Sequence, residues 1–172
     1  PIYQQIAQWL DPNVDLFLCE SMTSINEAKM ALTALQSMNK PIWVSFILDD
    51  QHPTQLLSGE SVGTISTELE SFSINALLFN CCHATSITTA IPLLNFNGVI
   101  GGYANAFKQL PKNWDHSKGK LRESDELMTP TSYVTHTLDW QQLGASIIGG
   151  CCGIGIEHIQ ALSASFDSNI SI

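Results

Sequence analysis

Four of the chain's five cysteines stand in two adjacent pairs, Cys81-Cys82 and Cys151-Cys152, with Cys19 apart. Thiolates are soft ligands that select zinc, and zinc takes four ligands in a tetrahedron. Three sulfurs, from Cys81, Cys151 and Cys152, would leave one position open, as in a catalytic rather than a structural zinc. A substrate thiol bound there would lose its proton and become nucleophilic near neutral pH. Neighbouring residues normally point apart, so adjacent ligands need an irregular backbone, which Gly149, Gly150 and Gly153 can supply. The cysteines also fit a plainer role, because buried cysteine behaves as a small hydrophobe. A redox pair is disfavoured: vicinal disulfides are strained, and no Cys-x-x-Cys is present.

Other polar residues divide similarly. Glu20 would bind an amine at the mouth of an apolar site, or else be a surface carboxylate. His83 suits a metal ligand or a hydrogen-bonded loop histidine. Asp49-Asp50 could do acid–base work, but consecutive side chains rarely converge, so a solvated loop is expected. Cys19 is expected in the core, and Cys82 in packing that points away from Cys81. His52, His116, His136 and His158 show no such pattern.

These residues fall at the ends of five apolar, strand-like runs: Val14–Cys19, Ile42–Leu48, Ile74–Phe79, Gly98–Tyr103 and Ala145–Gly150. Each is a short continuous run, the mark of a parallel sheet covered on both faces. Helical patterns lie between them: Ile2–Leu10, Ile25–Met38, Val62–Phe72, Ser86–Leu94, Thr131–Leu143 and Ile156–Phe166. Ser24 and Glu27 have capping-box spacing, and Pro130 is a helix-start signal. Alternation of strand and helix predicts right-handed βαβ crossovers. Two architectures compete, a doubly wound open sheet and the last part of a (β/α)8 barrel, a fold of about 250 residues. In either, functional residues gather at the carboxyl ends of the strands. Those ends are Cys19-Glu20-Ser21, Asp49-Asp50, Asn80-Cys81-Cys82-His83, Tyr103-Ala104-Asn105 and Gly149–Gly153. A long polar loop, Ala104–Thr129, holds Lys108, Lys112, Asp115, His116, Lys118, Lys120 and Arg122, and suits a lid or a solvated excursion.

The chain has 172 residues, a net charge of −9, 44% hydrophobic residues and 13% charged ones. That composition belongs to a packed domain, not a disordered chain. Seven Lys+Arg against 16 Asp+Glu argues against nucleic-acid binding. No apolar run approaches the roughly 20 residues of a membrane span. The start, Pro1-Ile2-Tyr3-Gln4-Gln5, has neither Met nor a secretory signal pattern, and Pro1 reads as a cut point inside a longer chain. Odd, paired cysteines do not make a secreted disulfide framework, so a reducing cytoplasmic compartment is expected.

Together these motifs resemble the homocysteine S-methyltransferase family. The run Ile148-Gly149-Gly150-Cys151-Cys152-Gly153, followed by His158-Ile159, is similar to its zinc signature. Asn80-Cys81 resembles its Gly-x-Asn-Cys element, and Asp15–Ser21 its strand ending in Glu-Thr. Ser45-Phe46-Ile47-Leu48-Asp49, with Leu57-Ser58-Gly59, looks like the branch that uses S-methylmethionine or S-adenosylmethionine. There are departures: Leu78 stands in place of the element's glycine, Ile154 and Ile156 where Thr and Pro are usual, and Tyr103-Ala104-Asn105 for Tyr-Pro-Asn.

The resemblance implies a (β/α)8 TIM barrel of which this chain supplies about the last five βα units. Residues 1–172 would form a single domain lacking the first three. It implies zinc held by Cys81, Cys151 and Cys152, with Glu20 on the amino group of L-homocysteine and Asn80 shaping the substrate site. The implied reaction is methyl transfer from a sulfonium donor to the homocysteine thiolate, giving methionine. Five units cannot close a barrel, so open edges would invite homo-oligomers and the isolated chain is expected to be weak or inactive. Two other readings are a non-catalytic zinc-binding remnant of the fold, and an unrelated α/β binding module with structural cysteines.

Overall fold

The computed structural model describes residues 2–109 and 122–169. Lys112, Asp115, His116, Lys118 and Lys120 of the long loop lie outside the described residues. The elements in chain order are α1 Ile2–Leu10, β1 Phe17–Met22, α2 Ile25–Leu35, β2 Ile42–Phe46, β3 Leu48–Asp49, β4 His52–Leu56, α3 Ile65–Glu68, β5 Ala76–Asn80, α4 Ala84–Ala90, β6 Val99–Tyr103, α5 Pro130–Gln142, β7 Ala145–Ile148 and α6 Ile156–Asn169.

Local chemistry accounts for most boundaries. The Ser24 hydroxyl accepts from Glu27 N at 3.1 Å and starts α2. The Glu27 carboxylate returns to Thr23 N at 2.8 Å, one residue ahead of the cap rather than to the cap itself. Thr129 Oγ1 caps α5 by accepting from Ser132 N, and α5 ends before Gly144, whose φ of 100° only glycine adopts easily. The helix expected over Val62–Phe72 is a 3-10 turn, Val62–Thr64, followed by the single α turn of α3. Gly63, Ser66 and Thr67 are poor helix formers, yet Val62, Ile65 and Leu69 still bury their side chains. The helix expected over Ser86–Leu94 begins earlier, capped by the His83 ring, and finishes as the 3-10 turn Ile91–Leu93. The strand expected over Ile42–Leu48 stops at Phe46. Leu48–Asp49 then pairs antiparallel with β4 as a small hairpin that the apolar pattern does not reveal.

Five strands form one sheet in the order β1-β2-β5-β6-β7, and every pairing is parallel. A doubly wound sheet reverses direction at a switch point. Here each strand adds beside its predecessor in chain order, which is the winding of a barrel wall. Among the described residues the sheet is an open arc with β1 and β7 at its edges. Phe17, Cys19, Ile42, Val44, Phe46, Leu77 and Phe79 join the main core with α2 and α4 residues such as Ala28, Leu32 and Ile87. The opposite phase carries Leu18 and Val99, which stay 40% and 41% exposed.

β6 is narrow because its neighbours are close. A Cβ at Gly101 would lie 2.1 Å from the Ile147 carbonyl oxygen, and one at Gly102 would lie 2.8 Å from the Ile87 side chain. Gly101→Ala must therefore move the β7 backbone. Its unfolding free energy in urea should fall by about 2 kcal/mol or more, whereas Gly59→Ala should spare the sheet, because a Cβ there meets nothing within 4 Å and costs only positive-φ strain.

Candidate metal centre

Three of the sequence-selected sulfurs converge. Cys81 Sγ lies 3.9 Å from Cys152 Sγ, and Cys151 Sγ lies 3.8 Å from Cys152 Sγ. All three lie within 4.8 Å of one another. Ligands at about 2.3 Å in a tetrahedron stand about 3.8 Å apart, so both measured edges suit a common metal ion. Cys81 and Cys151 are half-buried and Cys152 is exposed. Cys82 and Cys19 are buried in the core, as expected, and neither joins the cluster. Crowding divides the protons unevenly. A hydrogen bond from the Cys81 thiol draws the Cys151 pKa down to about 6, while that bond, together with burial, pushes Cys81 up.

Backbone shape makes the convergence possible. Cys81 has φ 54° and Ser21 φ 60°, and among the described residues these are the non-glycine positions in the left-handed region. Such strain costs about 1–3 kcal/mol each and persists only where surroundings enforce it. Enforcement comes from the segment that continues β6. Cys81 N donates to Tyr103 O, Cys151 N to Ala104 O, Asn105 N to Cys82 O, and Ala106 N to Cys152 O. The Asn105 side chain donates to Cys81 O at 2.7 Å and accepts from Phe107 N at 3.0 Å. Both cysteine loops are thus tied to one strand extension lying between them. Tyr133 adds a buried brace: its hydroxyl donates to Gly149 O at 2.6 Å and accepts from Ala104 N at 3.1 Å.

Polar side chains line the carboxyl end of the sheet beside the sulfurs. Asn80 is fully buried. Its Oδ1 accepts from Ser45 Oγ at 2.6 Å and its Nδ2 donates to Ser21 Oγ at 2.8 Å. Glu20 is exposed at the same end of β1. The left-handed turn at Ser21 aims its hydroxyl at Asn80, and no pattern in the sequence marks that turn.

Asp50 corrects the expectation of a solvated Asp49-Asp50 loop. Its side chain is only 6% exposed. It accepts from His83 N at 2.8 Å and Ser86 Oγ at 2.9 Å, and faces Arg122 at 3.7 Å. His83 is the hydrogen-bonded loop histidine: Nδ1 accepts from Thr85 N and Nε2 faces Asp125 at 3.4 Å. In the sequence Asp50 reads as solvated, Asn105 only as part of a strand end, and Tyr133 is passed over; each holds backbone rather than facing an open site, and no residue pattern signals that work. The described ends of the long loop are paired at Phe107 and Ser124.

Fold and site together define a singly wound α/β protein with three thiols gathered at the carboxyl end of its parallel sheet. The family model for homocysteine S-methyltransferase matches residues 2–166, and the chain belongs to that family. It is 26% identical over 167 residues to the homocysteine S-methyltransferase of Escherichia coli (strain K12), covering 93% of this chain and 50% of that protein. It is 27% identical over 160 residues to the selenocysteine methyltransferase of Astragalus bisulcatus, covering 88% and 44%. The metallated form of the homocysteine methyltransferase MmuM from Escherichia coli shares the fold, with a TM-score of 0.72 at 22% identity over 95% of this chain and 51% of that one. The chain spans about half the length of the curated relatives it matches.

Replacing Tyr133 with Phe would leave the Ala104 N–H and Gly149 carbonyl unpaired beside Cys151. Stability to urea should fall by about 1–3 kcal/mol, and a metal ion added to the three sulfurs should be stripped at lower chelator concentration than from the unaltered chain.

Proposed function

We propose that this chain carries the metal-binding part of a (β/α)8 barrel that transfers a methyl group from a sulfonium donor to the sulfur of L-homocysteine, giving methionine. The observation that carries this reading is the trio Cys81, Cys151 and Cys152, spaced as edges of one tetrahedron although they come from strand ends 70 residues apart. Family membership supports the reaction class, and the sequential parallel sheet supports a barrel wall that three further βα units would close.

The donor set fits zinc: three soft sulfurs, none committed to a disulfide. Cys81, Cys151 and Cys152 would hold it. When bound, zinc supplies Lewis acidity that lets a fourth, substrate thiol stand as thiolate at neutral pH. The chain's own residues do the rest. Glu20, exposed at the end of β1, offers a carboxylate to the ammonium group of homocysteine. Asn80, held by Ser45 and Ser21, keeps the floor of that site rigid and polar. The acidic protein, with its net charge of −9, suits a cationic donor such as S-methylmethionine or S-adenosylmethionine. Among the described residues no helix is long and apolar enough to cross a membrane.

Elemental analysis of protein purified under reducing conditions tests the centre directly. About one zinc per chain is expected, lost in Cys81→Ala, Cys151→Ala and Cys152→Ala but kept in Cys19→Ala. Absence of zinc from folded protein resupplied with the metal, or equal retention in all four variants, would refute the assignment. Methyl transfer to L-homocysteine should then be assayed with both sulfonium donors, alone and after addition of the amino-terminal half of a family relative. Zinc binding with no transfer in either case would favour the non-catalytic remnant.

A further inference from the structure

The hydroxyl of Tyr103 is shielded from solvent and, among the described residues, has no hydrogen-bond partner. An unpaired buried hydroxyl costs about 1–3 kcal/mol, so its retention needs a reason. Its place suggests one. Tyr103 stands in register with Asn80 across the β5–β6 pair, on the polar end of the sheet. Its backbone carbonyl holds Cys81 N, and its Cβ lies where a side chain on Gly149 would touch it, at 3.4 Å. Burial raises its pKa, so the phenol stays a neutral donor, and the side chains near enough to act on it are the Ser45 hydroxyl, the Glu20 carboxylate and the Cys151 sulfur. Ser45 donates its own proton to Asn80 Oδ1, which leaves its oxygen able to accept from the phenol. Glu20 is the stronger acceptor, because an ionised carboxylate makes a shorter and stronger hydrogen bond than a hydroxyl, and it is exposed and so has freedom to move.

We propose that Tyr103 is a positioning residue that donates its hydroxyl hydrogen bond to Glu20 when the carboxylate engages the ammonium group of an amino-acid thiol. The inference rests on the reading of Glu20 as the amine-binding group. In the free protein water solvates the Glu20 carboxylate and competes for it. A bound amino acid displaces that water, and the phenol–carboxylate bond strengthens as the local dielectric falls. The aromatic ring, packed between strand ends, holds the donor still, so the carboxylate is aimed at the amine. Specificity for an amino-bearing thiol then depends on two residues, one charged and one neutral.

The test compares L-homocysteine with its desamino analogue, gamma-mercaptobutyrate, by calorimetric titration of the zinc-loaded 172-residue chain. Both thiols reach the metal, but only homocysteine offers an ammonium group. Tyr103→Phe keeps the ring and removes the donor. It should weaken homocysteine binding about tenfold while leaving gamma-mercaptobutyrate binding and zinc content unchanged and raising the melting temperature of the ligand-free chain, since the unpaired hydroxyl is gone. Glu20→Gln should lose the same discrimination, and Tyr103→Phe added to Glu20→Gln should have little further effect, because the phenol acts through the carboxylate. Discrimination in the unaltered chain that survives Tyr103→Phe would overturn the proposal alone. Equal weakening of both ligands, or additive losses in the double variant, would overturn it in favour of simple packing. An unaltered chain that does not distinguish the two thiols would overturn the amine-binding reading of Glu20 and the proposal with it.

Discussion

Everything at this site depends on the few residues that continue β6 beyond the sheet. Sulfurs from β5 and β7 can meet only by reaching over the strand between them. Tyr103, Ala104, Asn105 and Ala106 present carbonyls and amides alternately to the two cysteine loops, and each loop is bonded on both sides of its sulfurs. The same requirement explains the composition of β6. Gly101 and Gly102 let β7 and α4 approach, and Ala104 and Ala106 leave room for the loops that cross above them. A bulkier strand would separate the sulfurs before any question of ligand chemistry arose.

The sheet's two faces divide the remaining work. One face meets the helices and buries a continuous apolar core, which fixes the strand order and register. The other face runs from Leu18 and Val99 at one end to Glu20, Ser45, Asn80 and Tyr103 at the carboxyl end. Its gradient from apolar to polar suits a wall whose lower part packs and whose upper part binds. The polar groups there are mostly committed: Asn80 is satisfied on both amide atoms and Ser45 donates inward. Glu20 is the exposed member of that group.

What could be read from the sequence follows from what sequence patterns encode. Apolar runs and helical stripes located all five sheet strands within a few residues, because burial against helices leaves a strong periodic signal. The cysteine trio was legible from residue type, from the glycines around Cys151-Cys152, and from resemblance to the family. Three features were not. The β3–β4 hairpin has a single deeply apolar residue on each arm, Leu48 and Leu56, too few to show a period. The left-handed turns at Ser21 and Cys81 are enforced by long-range hydrogen bonds, and neither residue type announces them. Asp50 looked solvated because its partners, His83 and Ser86, lie more than 30 residues away.

The origin of that enforcement bears on how the centre relates to folding. In small zinc domains the metal supplies the folding free energy, and the apo chain is unstructured. Here protein–protein hydrogen bonds hold the three sulfurs together: the Ala104 and Tyr103 carbonyls, the Asn105 amide, and the Tyr133 hydroxyl on Gly149. The strain at Cys81 is met by packing of the sheet and its extension rather than by coordination. Metal binding would therefore draw little on conformational entropy, and its free energy would remain largely available for affinity. A metal ion held by three sulfurs fixed in this way would exchange a fourth ligand without loosening the other three.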